Sequence, residues 1–236
     1  TERRRSPLAR ALARESFVVV ASLVAVTGLA WYYTLSLSAG MRMGGMDMPG
    51  YRMVPVGLRM AMVPVTEPWT VREFLLTFLM WAVMMVGMMT PSATPLILIY
   101  ESLGRHAARE GQPWVATGWF VAGYLVMWTG FSLVATIGQW GLHHAALLSP
   151  DLATGSRFVG GGLLVLAGIY QWTPLKHTCL AQCQAPFSFL MRFGGFRNER
   201  RHAMGLGMRH GMYCVGCCWT LMGLLFVGGV MNAGWI

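Results

Sequence analysis

Five apolar stretches, most of them near the ~20 residues that cross ~30 Å of hydrocarbon, constrain this chain more than any motif does. They cover roughly residues 16–37, 71–100, 114–139, 157–172 and 212–236. A soluble domain interrupts such runs with charge every few residues. Here 55% of the residues are hydrophobic and only 11% are charged, and the mean hydropathy is +0.51, too apolar a balance to cover a water-facing surface. The expected fold is all-α: a polytopic transmembrane helix bundle of about five spans, forming a single domain over residues 1–236.

The segments between the runs complete the layout. Residues 1–15 form a basic N-terminus, 38–70 a Met-rich loop, and 173–211 a loop rich in Cys and Arg. Pro91 and Pro95 predict a break or kink in the second helix, since proline cannot donate its backbone hydrogen bond. Gly160, Gly161 and Gly162 offer close helix contact in the fourth. No small-residue cleavage pattern follows the first run, so it reads as a retained helix. Thr1 fits removal of an initiator methionine, and a further segment is expected beyond Ile236.

The net charge of +9 would suggest nucleic acid in a soluble protein. Between apolar spans, however, basic residues report topology, and no nucleic-acid partner is expected. With the N-terminus in the cytoplasm, thirteen of the eighteen Lys and Arg fall on the cytoplasmic side and five on the other. This bias predicts a bacterial inner (plasma) membrane protein with a cytoplasmic N-terminus and the lipid bilayer as its first partner.

All five cysteines come late: Cys179 and Cys183 after the fourth span, and Cys214, Cys217 and Cys218 at the expected start of the fifth. That topology puts them on or near a reducing compartment, which favours thiolate chemistry or metal binding over structural disulfides. Cys179 and Cys183 are four apart and share a helix face. Cys214 and Cys217 form a C-x-x-C pair, with Cys218 on the Cys214 face and His177 just before Cys179. Thiolates and an imidazole converging from two segments suit a soft or borderline ion, copper first and zinc as the alternative. The opposing reading makes the cysteines small apolar fillers.

The segments MWAVMMVGMMTPSATP, TPLKHTCLAQCQAP and YCVGCCWTLM together resemble a bacterial family of predicted metal-binding integral membrane proteins. The resemblance runs from about residue 78 to 232. It is carried by Trp81, Met84, Met85, Met88, Met89 and Pro91, then by Tyr170, Gln171, Thr173 to Lys176, Cys179, Leu180 and Cys183, and finally by Cys214, Gly216, Cys217, Cys218 and Trp219. Gly87 stands where that pattern has alanine. The resemblance implies a membrane helix bundle, a metal site at the cysteines, and another helix after Ile236.

Methionine is the other soft donor, with nineteen in the chain. Met41, Met43, Met46 and Met48 crowd the first long loop around Asp47, and two readings stay open for them: a copper-binding motif, or a flexible loop on the membrane surface. Met80, Met84 and Met88 repeat every four residues along the second helix beside Met85 and Met89. This stripe reads as packing surface first and as a copper path second. His143 and His144 are placed in a short loop between the third and fourth spans, facing the Met-rich side. His106 and His202 read as solvated or headgroup-facing, while His210, four residues before Cys214, is retained as a candidate ligand.

Phosphate loops, serine nucleophile motifs, dinucleotide fingerprints and Glu-x-x-His di-iron patterns are all missing from the sequence. Acids within the spans are nearly absent, against a proton-coupled carrier. The leading reading is a metal-binding membrane protein for delivery, insertion or homeostasis, working with a metallochaperone or a membrane complex. Its competitors are an assembly subunit of a larger complex and a membrane thiol-disulfide oxidoreductase.

Overall fold

The computed structural model describes residues 7–43, 50–111, 117–149, 152–197, 199–232 and 234–235. Among these residues the elements run α1 (Pro7–Met43), β1 (Tyr51–Val56), β2 (Arg59–Pro64), α2 (Val71–Arg109), α3 (Gly118–His144), α4 (Arg157–Gln171), α5 (Pro174–Gln184), α6 (Pro186–Arg192), α7 (Arg200–Gly223) and α8 (Leu225–Gly228). Four helices are long and apolar enough to cross a membrane, or five if α4 and α5 count as one bent span.

The all-α expectation fits the spans but not the segment between the first two. There β1 and β2 pair antiparallel, with Val56 opposite Arg59 across a two-residue turn at Gly57, whose φ is +61°. A positive φ at this position suits the tight hairpin turn and needs glycine. Arg52 anchors the hairpin to the start of α2. Its guanidinium donates to the Pro64 and Glu67 carbonyls at 3.0 and 2.6 Å and pairs with Glu73 at 3.0 Å. Glu73 in turn closes a capping box with Thr70, so one carboxylate fixes both the helix start and the hairpin.

Against expectation, α2 runs unbroken through Pro91 and Pro95. Proline at 91 removes the N–H that would bond the Gly87 carbonyl. The indole of Trp31 on α1 donates to that carbonyl at 3.1 Å instead. Neighbouring helices commonly re-satisfy freed carbonyls in this way. Gly87 eases the approach, because a Cβ there would stand 3.1 Å from the Ala30 Cβ, a few tenths of an ångström inside ordinary contact.

The most extensive helix contact joins α3 and α7. A Cβ on Gly123 or Gly207 would fall on the facing backbone, and one on Gly211 would lie 2.8 Å from the Met127 Cβ. Small residues at four-residue spacing let two helix backbones touch. This explains the largest correction to the sequence reading. The segment RRHAMGLGMRHG looks like loop because Arg, His and Gly lower its hydropathy, yet it forms the first half of α7. The last candidate span therefore runs from Arg200 to Gly228, as α7 and α8, where residues 212–236 were expected.

The segment expected as a Cys/Arg loop is likewise helical. Two X-Pro steps cut it into pieces. Thr173 precedes Pro174 with ψ 144° and caps α5 by accepting from the Lys176 N–H, and Ala185 precedes Pro186 with ψ 70°. Both residues leave helical geometry because the following proline ring crowds it. The α4 and α5 axes meet at 67°. From Arg157, α4, α5 and α6 thus descend alongside α7 as one broken element.

Candidate metal centre

The broken element brings the two cysteine groups together. Cys183 on α5 and Cys214 and Cys217 on α7 place their three sulfurs within 4.8 Å of one another. Cys183 and Cys217 are 4.0 Å apart, and Cys217 and Cys218 are 3.2 Å apart. All five cysteines are free thiols; Cys179, Cys214 and Cys217 are buried, and Cys183 and Cys218 are half-buried. Fourteen residues separate the start of α7 from Cys214, about 21 Å of helix. The cluster therefore lies well inside the helix, beside the α5 break. The sequence reading had it at a helix mouth because it started that helix twelve residues late.

Cys179 and His177 do not join the three-sulfur set. The Cys179 sulfur packs on Gly216, where a Cβ would come within 2.8 Å of it. His177 is exposed on α5. Cys218 lies beside the set through its contact with Cys217. The Tyr170 hydroxyl donates to the Gly216 carbonyl, and its ring meets Trp219 edge-on at 5.3 Å. These contacts press the end of α4 onto α7 at the level of the cluster.

On the opposite side the Tyr124 hydroxyl lies 3.5 Å from the Cys214 sulfur and donates to the Met89 carbonyl at 2.9 Å. Sequence reasoning passed over this residue. The available signal was a phenol in an apolar helix, since a buried Tyr hydroxyl needs a partner. His210 is 2% exposed and stacks against Tyr124 at 5.7 Å. Its Nδ1 has no hydrogen-bond partner among the described residues. It sits behind Tyr124 and outside the grouped donors.

The other candidates fall elsewhere. Met41 is buried in the last turns of α1 and Met43 ends that helix, so both are helical where a loop was expected. Met46 and Met48 lie outside the described residues. Met84 is fully buried, and Met88 is half-buried against the same core. His143 and His144 occupy the last turn of α3, again where a loop was expected. His143 is buried against Trp69 at 5.6 Å, and together with His144, Arg52 and Glu67 it lines a cavity of about 340 Å³ near the hairpin. This cavity is at the other end of the bundle from the Arg-rich helix start.

A metal bound by three thiolates at about 2.3 Å spaces its sulfurs at about 4 Å in a trigonal plane, which the 4.0 Å Cys183–Cys217 separation matches. Soft thiolates favour Cu(I) and also accept Zn(II). No curated protein and no solved structure matches the chain. Residues 78–236, about two thirds of the chain, match the family model described as PpoB2, copper chaperone. The matched region holds α3 to α8 and α2 from residue 78 onward, with all five cysteines. The chain thus belongs to the PpoB2 copper chaperone family.

Proposed function

We propose that this protein is an integral inner-membrane copper chaperone that holds Cu(I) between Cys183, Cys214 and Cys217 and passes it to a partner protein. The observation that carries this reading is the meeting of three sulfurs from two distant segments within 4.8 Å, in a chain of the copper chaperone family. Binding replaces two or three S–H bonds by Cu–S bonds and releases the protons to solvent. Copper remains Cu(I). Three converging sulfurs suit a trigonal Cu(I) site; because the Cys218 thiol stands beside Cys217 as a further donor, the preference for copper over tetrahedral zinc rests on the family.

Membrane insertion is supported by the four long apolar helices and by large apolar side chains on the outer surface, among them Phe17 and Phe158 at 73% and 93% exposure. Such a surface needs lipid around it. The excess of Lys and Arg at the ends shared with the N-terminus supports a cytoplasmic N-terminus. A bundle whose metal site lies at a broken helix inside the span agrees with the rule that irregular backbone at membrane depth lines a site.

The test is a Cu(I) competition titration on the purified full-length chain, with elemental analysis of bound copper and zinc. One tightly held copper per chain is expected, weakened by about tenfold or more in Cys183→Ser and Cys217→Ser. Copper retained equally by both variants would overturn the assignment.

A further inference from the structure

The thiol cluster is the lower end of a longer sulfur-rich feature. Met80, Met84, Met85 and Met89 lie on the inner face of α2 at 0%, 1%, 0% and 7% exposure. They belong to one contiguous buried cluster with Cys214, and this cluster also takes in Met53 of the hairpin. Five of the ten residues from Met80 to Met89 are methionines, and no residue from 80 to 90 is exposed, so the thioethers are concentrated where the bundle encloses α2 on all sides. At the lower end the Met89 carbonyl and the Cys214 sulfur share the Tyr124 hydroxyl, which ties the end of the row to the metal centre.

We propose that the inner methionine face of α2 is a Cu(I) conduit that leads from the hairpin end of the bundle to the Cys183–Cys214–Cys217 centre. The proposal rests on the copper reading of that centre. Thioethers bind Cu(I) without needing to lose a proton, so a buried row can accept the ion at any pH. Nine residues separate Met80 from Met89, about 14 Å of helix, with the next thioether never more than four residues, about 6 Å, away. Each hop breaks one Cu–S(thioether) bond as the next forms, and the oxidation state does not change. On neutral thioethers the ion keeps its full positive charge in a low-dielectric interior; the first thiolate it meets cancels that charge. The free-energy drop at the last exchange, with thiol protons leaving to solvent, directs the ion toward the cysteines.

Two measurements on the full chain test this. In selenomethionine-labelled protein carrying Cys183→Ser, Cys214→Ser and Cys217→Ser, loaded from Cu(I)–bicinchoninate, X-ray absorption at the copper edge should show selenium neighbours. Adding Met84→Leu, Met85→Leu and Met89→Leu should remove them. Absence of copper–selenium scattering, or its survival in the leucine variant, would overturn the conduit. Leucine is close to methionine in volume, which limits the packing cost. In proteoliposomes with the hairpin facing outward, the same leucine changes in the cysteine-intact chain should leave the final copper content unchanged and slow thiol loading by about tenfold or more. Loading at the wild-type rate would remove the conduit and leave the chaperone reading standing; failure of the unmutated chain to load its thiols at all would remove both.

Discussion

Replacing Gly216 with alanine tests whether Cys179 is a spacer or a ligand. The new Cβ would lie 2.8 Å from the Cys179 sulfur, about 1 Å inside ordinary carbon–sulfur contact. Cys179 is buried, which leaves its sulfur little room to turn away about χ1, so α5 should shift as a unit and take Cys183 with it. Overpacking of this kind costs about 1–3 kcal/mol. If that shift widens the 4.0 Å Cys183–Cys217 separation, the strain appears in metal binding as about a tenfold to hundredfold loss of Cu(I) affinity. Competition titration against a Cu(I) chelator reads this directly. Cys179→Ala alone should leave affinity nearly unchanged. The double variant should regain it, because the Cys179 Cβ stands 3.7 Å from the new methyl group, an ordinary contact. A double variant as weak as Gly216→Ala, or loss of copper in Cys179→Ala alone, would refute the reasoning.

Two further expectations concern the scaffold. Trp31→Phe removes the donor that reaches the Gly87 carbonyl and should cost about 1–3 kcal/mol of stability in detergent unfolding; Pro91→Ala in the same chain restores a backbone N–H and should recover most of the loss. Arg52→Met leaves Glu73 without its buried partner and should destabilise the hairpin end by about 3–5 kcal/mol, visible as faster proteolysis between residues 50 and 68 with little change in copper stoichiometry.

The apolar runs alone imply helices long and apolar enough to cross a membrane, of which the described residues hold four, or five with the bent pair counted as one, and the identity of the sulfur donors is legible in the clustered cysteines. Hydropathy also marks the cores of α1 to α4. It misses the first turns of α1 and the first half of α7, since the Arg of PLARALARES and the Arg, His and Gly of RRHAMGLGMRHG lower the hydropathy without preventing helix formation. The course of α2 through Pro91 was likewise not local information: it depends on an indole fifty-six residues away that takes over a freed carbonyl.

For the centre, residue type and pattern determined which atoms are chemically suited to copper, whereas only the tertiary structure selected among them. Cys179 and Cys183 share a helix face and look equivalent by spacing, but Gly216 admits the first sulfur as packing while the 67° turn after α4 carries the second toward Cys214 and Cys217. His177 falls away for the same geometric reason. Donor chemistry belongs to single side chains and can be read one residue at a time. Coordination requires several donors at one point, and that convergence depends on helix breaks and glycine contacts between segments far apart in sequence.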